Sequence, residues 1–195
     1  VIFDVGGHKG ESVAFFKSIF PGAEIHTFEP DPKNFREIND CDGLIKNNFA
    51  LSSKNSKSKF YRQSISHLGS LIKINKDSKD SLGYAKTANN EEIEVVTVRG
   101  DTYIAENNIR KIDLLKIDVQ GSEVDVLEGF SSRLADINVI TVEVEFYDFY
   151  AKKSSFYEIE KIIRDYFELW DILKISKNPK TFRTDWAETV YRRKA

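Results

Sequence analysis

The sequence predicts an α/β fold, a largely parallel sheet covered by helices on both faces. Three observations carry that expectation. Short apolar runs at Val1–Val5, Glu24–Glu29, Lys111–Val119 and Asn138–Phe146 alternate with segments of helical periodicity. The first two runs stop at glycine or at an acid, as buried parallel strands do on entering a ligand-bearing turn. The chain closes on two strand-like segments, Glu168–Ile175 and Thr189–Arg193, with no helix between them, which predicts an antiparallel pair at the edge.

Each element has a local reason. Val1–Val5 (VIFDV) ends at Gly6, and Ser12–Phe20 then carries Val13, Phe16 and Phe20 at helical spacing until Pro21-Gly22 stops it. The Glu24–Glu29 strand leads to Asp31, an N-cap with Pro32 at the first helical position. Phe35 and Ile38 are expected to face the core from that helix, and Lys46–Leu51 is expected to form a third strand. Residues 52–92 are rich in Ser, Lys and Asn, with weak periodicity outside Lys59–Gln63 and Leu71–Ile74. Together with the Ile93–Val98 strand they form a β-rich insertion around 52–98, read either as solvated loop or as a substrate-facing lid.

Regularity returns with a helix capped by Asp101 and running toward Asn107, followed by the Lys111–Val119 strand. Ser122 is expected to cap a helix presenting Val124, Leu127 and Phe130, with Gly129 near its end. Asn138–Phe146 (NVITVEVEF) is a β-branched strand. Ser155-x-x-Glu158 is a capping box ahead of Ile159, Ile162, Ile163 and Tyr166.

A chain of 195 residues fits a single domain, and 41% hydrophobic with 31% charged residues is a globular composition, not a disordered one. The balance of 29 basic and 31 acidic residues, net −2, argues against nucleic acid or an anionic membrane as the main partner. The single cysteine, Cys41, excludes an intramolecular disulfide and a multi-cysteine zinc site, and suits a reducing, cytoplasmic compartment. No apolar run is long enough to span a membrane, and the first residues read as a core strand, not a signal peptide. With no methionine and a start inside a strand, the chain reads as a piece of a longer protein.

The chemistry concentrates where strands end. Asp4-Val5-Gly6-Gly7-His8-Lys9-Gly10 joins the first strand to the first helix, the place where open α/β sheets bind ligands. Small residues let the backbone approach a ligand closely, and Asp4 is expected to face a cationic amine. Glycines at 6, 7 and 10 miss the G-x-G-x-x-G spacing, so a nucleoside without a pyrophosphate fits better than a nicotinamide dinucleotide. Glu29, closing the second strand, is read either as accepting both hydroxyl hydrogens of a ribose, the reading favoured by its pairing with the glycine turn, or as a charge on the dipole of the helix starting at Pro32. His8 is expected to touch the cofactor, whereas His26 reads as structural.

Period two puts Lys116 on the same side as Asp118, and a buried charge needs a partner, so this pair marks either a site or a structural ion pair. Glu143 and Glu145 share one strand face and could join Asp118 in a carboxylate cluster. Such a cluster would hold a divalent cation, a proton or a substrate, and the metal is the less favoured of these. His67, in the insertion, is either a general base for an alcohol or an exposed loop residue. Phe146-Tyr147-Asp148-Phe149-Tyr150 would cover a ligand or pack the core, and the basic residues from Lys174 to Lys194 read as a solvated face.

Taken jointly, Phe3-Asp4-Val5-Gly6 with Gly10, Phe28-Glu29-Pro30 with Asn34-Phe35, and Leu115-Lys116-Ile117-Asp118 with Gly121 and Glu123 resemble the FkbM family of S-adenosylmethionine-dependent methyltransferases. The resemblance covers Val1 to about Phe146. It implies the class I methyltransferase fold, a Rossmann-like three-layer sandwich on a seven-stranded sheet with an antiparallel last strand. It also implies S-adenosylmethionine as cofactor and a hydroxyl acceptor on a sugar, glycan or polyketide-like molecule. Asp4, Gly6 and Gly10 match the cofactor loop, Glu29 the ribose acid, and Asp118 the acid near the methyl-transfer centre. Gly7, His8, Pro30 and Asn48 complete the expected cofactor contacts, although Gly7 and His8 stand where the family has alanine and asparagine. Gln120 replaces a glutamate. Asp118 or His67 is expected to act as base, with Lys116 keeping Asp118 ionised. The rival readings are a non-catalytic module that binds the same cofactor and, less favoured, a nicotinamide oxidoreductase.

Overall fold

In a computed structural model, which describes residues 1–78, 83, 91–147, 149–151 and 155–195, the chain begins with β1 (Ile2–Val5), α1 (Glu11–Ile19), β2 (Ile25–Phe28), α2 (Pro32–Glu37) and β3 (Leu44–Asn47). The inserted segment supplies β4 (Ala50–Leu51), β5 (Ser56–Arg62), a 3₁₀ turn at Ser66–Leu68 and β6 (Glu91–Val98). There follow α3 (Gly100–Glu106), β7 (Ile112–Ile117), α4 (Glu123–Gly129), β8 (Ile137–Glu145), α5 (Phe156–Ile163), β9 (Phe167–Lys177) and β10 (Thr184–Arg193).

The main sheet has seven strands in the order β3-β2-β1-β7-β8-β10-β9. β10 lies antiparallel between β8 and β9, so the last strand is inserted, not outermost. The other pairings are parallel. Strand order reverses at β1, with β2 on one side and β7 on the other. The carboxyl ends of β1 and β7 therefore flank the crevice where this topology binds ligands.

Strand parity decides what each face carries. Phe3, Val5, Leu115, Ile117, Ile140 and Val142 turn toward α3, α4 and α5, where Val126, Leu127, Phe130, Ile159 and Ile163 complete the main core. The opposite face packs Ile2 and Ile25 against Val13 and Phe16 of α1. On that second face the register aligns Thr27, Asp4, Lys116 and Thr141 across four neighbouring strands. This polar row leads straight to the crevice.

The smaller sheet has the order β4-β6-β5. Arg62 fastens it to the rest: Nε donates to Asp31 Oδ2 at 2.8 Å and an Nη donates to Asp31 Oδ1 at 2.7 Å. Those bonds hold the Asp31 carboxyl below its ordinary range even though burial acts the other way. Asp31 also caps α2, accepting from the Lys33 amide at 2.8 Å.

Several expectations require correction. The third strand expected over Lys46–Leu51 is two strands in two sheets, because Phe49 turns inward against Phe28 and Tyr103. Phe20 is 51% exposed, since α1 ends at Ile19 and the chain turns away from the core. On α2 it is Asn34 and Ile38 that are buried, while Phe35 is half-buried beneath the Lys46 ammonium. Asp101 does not cap α3; its carboxylate accepts from Arg99 at 2.9 and 2.6 Å. Ser122 donates its hydroxyl to Val119 O instead of capping α4. The Ser155–Glu158 box does form, with the Ser155 amide donating to Glu158 Oε2 at 3.0 Å. Residues 79–82 and 84–90 of the insertion, and Asp148 of the aromatic run, lie outside the described residues. Among the described residues no helix is long and apolar enough to cross a membrane.

Candidate active site

A cleft of about 440 Å³ opens beyond the carboxyl ends of β1, β2, β7 and β8, within the size range of ligand sites. Gly6, His8, Glu29, Pro30, His67, Lys116 and Asp118 all line it. Asp4, Gly7, Gly10 and Asn48 are not on its wall.

The turn after β1 is shaped by glycine. Gly6 adopts φ +86°, and a Cβ there would lie 1.9 Å from the Asp118 carbonyl oxygen. No other residue fits this position. The amides of Gly6 and Gly7 both donate to Phe28 O at 3.0 Å, pinning the turn to the end of β2. Gly7 lies so close to β2 that a Cβ would meet Thr27 Oγ1 at 2.0 Å. Gly10, at φ +92°, begins α1.

Glu29 is 5% exposed. Its Oε2 accepts from the His8 amide and its Oε1 from the Asp31 amide, each at 2.9 Å. Burial pushes its pKa to about 7 against the pull of these bonds. Asn48 acts from behind, its amide donating to Glu29 O at 2.9 Å and Pro30 O at 3.3 Å. It shapes the turn that presents Glu29 and does not face the cleft.

Asp4 is fully buried, and the cation it meets is Lys116, not a ligand amine. Lys116 Nζ stands 3.0 Å from Asp4 Oδ1 and donates to Gly6 O at 3.0 Å, while Asp118 Oδ2 is 3.9 Å away. Thr27 Oγ1 donates to Asp4 Oδ2 at 3.0 Å. Burial works to discharge the ammonium, but Asp4 and Asp118 outweigh it and raise its pKa. Lys116 therefore belongs first to Asp4 and only second to Asp118.

The FkbM methyltransferase domain family matches residues 4–167, most of the chain. The chain belongs to this family. Hexuronic acid methyltransferase AglP of Haloferax volcanii is 26% identical over 149 residues, covering 74% of this chain and 55% of that protein. The 2-O-methyltransferase NoeI of Sinorhizobium fredii is 28% identical over 155 residues, covering 73% of this chain and 62% of that protein. The chain thus spans less than two thirds of these relatives' lengths. The crystal structure of methyltransferase FkbM from Methylobacillus flagellatus superposes with a TM-score of 0.59 at 12% identity, over 98% of this chain and 42% of that one. That likeness establishes the class I methyltransferase fold.

Within this FkbM domain, Gln120 takes the place of the glutamate expected there and organises the acids. At φ +56°, it donates from Nε2 to Asp118 Oδ1 at 2.8 Å and to Glu143 Oε1 at 3.5 Å. Tyr150 donates its hydroxyl to Gln120 Oε1 at 3.0 Å. Burial, then the charges of Asp118, Glu123 and Glu188, push Glu143 up to about 8. Glu145, expected in the same cluster, is buried but does not line the cleft. No group of acids, histidines and cysteines among the described residues is arranged to hold a metal ion.

His67 projects from the 3₁₀ turn, whose neighbour Ser66 meets His8 Nε2 at 2.9 Å. His26 is structural, bonded to Tyr103 Oη at 2.7 Å and Glu24 Oε1 at 3.0 Å. Phe149 and Tyr150 pack with Leu68 and Ile74 beneath the insertion, so these aromatics serve packing. Several cleft residues escaped the sequence reading, Glu11, Ser12 and Phe60 among them. Lys174, assigned to a solvated face, and Trp186 both line the far end of the cleft. What brings them together is the β9–β10 pairing, which sets Lys174 opposite Glu188 and Trp186 opposite Ser176, two residues along the same strand pair.

Proposed function

We propose that this domain is an S-adenosylmethionine-dependent O-methyltransferase acting on a hydroxyl of a sugar, glycan or polyketide-like acceptor. The observation that carries the reading is the placement of Glu29 and Asp118 in one cleft, on either side of the Gly6 turn. Each Glu29 oxygen accepts one backbone N–H, which leaves each an acceptor site for a ribose hydroxyl. Gly6 leaves its backbone bare at the mouth, where a side chain has no room. The residues present therefore fit the cofactor. The names of AglP and NoeI, which specify a hexuronic acid and a 2-O position, favour a sugar hydroxyl.

When bound, the cofactor supplies an activated methyl group on a sulfonium. The protein's share is alignment, water exclusion and management of one proton. Asp118 is the base we favour. Gln120 holds one of its oxygens, and Lys116 supports its charge from 3.9 Å. His67 is the second candidate, placed by the turn that Ser66 and His8 fix. Either group would take up the proton that the acceptor hydroxyl loses as its oxygen gains the methyl and the thioether product departs. The net charge of −2 does not favour a nucleic-acid acceptor. The exposed Cys41 fits a reducing, cytoplasmic setting.

Calorimetric titration with S-adenosylmethionine and S-adenosylhomocysteine tests the cofactor. Saturable binding is expected, and a Glu29→Ala variant that binds as tightly contradicts the ribose assignment. Labelled methyl transfer to a panel of glycans and small alcohols then tests the reaction.

A further inference from the structure

The cleft does not end at Asp118. It continues past Glu143 on β8 to Trp186 on β10 and Lys174 on β9. With neighbouring strands about 4.8 Å apart, β10 stands about 10 Å along the sheet from β7. That span takes one sugar ring beside the methyl-transfer centre.

Lys174 behaves unusually for a lysine on a sheet. Its cross-strand partner is Glu188, and a directly opposed Lys–Glu pair normally closes. Among the described residues, however, Lys174 makes no ion pair. Its Nζ instead stands 4.9 Å from the centroid of the Trp186 ring, at the cleft wall. Burial and the neighbouring charges of Asp118, Glu123 and Glu188 push Glu143, the acid between this ring and Asp118, up to about 8, with the Lys116 ammonium pulling the other way. That environment favours its protonated form, which offers Lys174 no counter-charge. The far end of the cleft therefore presents an aromatic face and a cation held over it. An exposed cation–π contact is weak beside a charge-assisted hydrogen bond, so an arriving anion can draw the ammonium away from the ring.

We propose that Trp186 and Lys174 form an acceptor subsite for a pyranose carrying a carboxylate, with the sugar's C–H face against the indole and its carboxylate on the lysine. The subsite rests on the reading of the cleft as a methyl-transfer site. Trp supplies a large, rigid contact area at small entropic cost, and the ammonium selects for negative charge.

The chain has two tryptophans, Trp170 and Trp186. In a Trp170→Phe background, tryptophan fluorescence reports on Trp186 alone. Methyl glucuronide and methyl glucoside are titrated separately, with and without S-adenosylhomocysteine. Glucuronide is expected to change the fluorescence saturably and to bind about tenfold more tightly than glucoside. Lys174→Gln should bring the two sugars to equal affinity, and Trp186→Ala, read by calorimetry, should weaken both. Equal affinities in the Lys174 protein, or no fluorescence response to either sugar, overturn the subsite. Calorimetry with S-adenosylhomocysteine separates the two readings. Tight nucleoside binding without sugar discrimination removes the subsite alone, whereas no nucleoside binding removes the methyl-transfer reading.

Discussion

Lys116 Nζ, at the cleft wall, lies 3.0 Å from Asp4 Oδ1, which is buried behind it. The pair supports the nucleoside turn, because the same ammonium also holds Gly6 O. Replacing Lys116 by Met leaves the fully buried Asp4 carboxylate with only the Thr27 hydroxyl, a loss of about 3–5 kcal/mol. Denaturant titration should show that loss, and an Asp4→Asn, Lys116→Met double variant should recover part of it. A single Lys116→Met variant with an unchanged midpoint contradicts the supporting role.

The ribose role proposed for Glu29 makes nucleoside affinity depend on pH. In that role its ionised form accepts the ribose hydroxyls, and burial, which pushes its pKa to about 7, has that form lost as pH falls through neutrality. S-adenosylhomocysteine affinity should therefore weaken between pH 8 and pH 6. Glu29→Gln should bind about 10- to 100-fold more weakly at pH 8 and show a flat profile. A parent protein with pH-independent affinity across this range counts against the assignment.

Glu143 should tax the stability of the ligand-free protein at alkaline pH. Its ordinary pKa is 4.5 and its folded value about 8. Between those limits the folded state keeps a proton that the unfolded chain has released. Stability from this group is thus present below 4.5 and declines as pH rises to about 8. Glu143→Gln should be more stable than the parent at pH 8.5, by about 2 kcal/mol, with the advantage shrinking by pH 5. Parallel pH profiles for the two proteins would falsify this.

Turnover separates the candidate bases. Asp118→Asn should lower the rate about 10²- to 10⁴-fold with nucleoside affinity little changed, while His67→Ala should keep a rate within severalfold of the parent. The reverse pattern makes His67 the base, and full rates in both variants reject both residues.

Much of this site was legible from spacing because its residues close apolar strands. Glu29 follows IHTF and Asp118 follows LLKI, and in a parallel sheet such ends converge whatever the loops do. The buried strands themselves read clearly, since burial on both faces removes polar alternation. The partner of Asp4 was less legible. Period two placed Lys116 beside Asp118, but only the β1–β7 register puts Lys116 opposite Asp4. Trp186 and Lys174 were hidden for the same reason, with irregular β9–β10 register added. The division between Asn47 and Ala50 turns on Phe49 joining an aromatic group from distant elements, a preference that local pattern does not express.

The lack of space between Gly6 and the Asp118 carbonyl has a consequence for kinetics. With less than a methyl's room separating them, the two turns cannot drift independently, and any substitution that displaces one drags the other. Lesions here should therefore degrade nucleoside retention and methylation rate in step. A clean separation of these two quantities is to be sought farther along the sheet, where side chains alone form the wall.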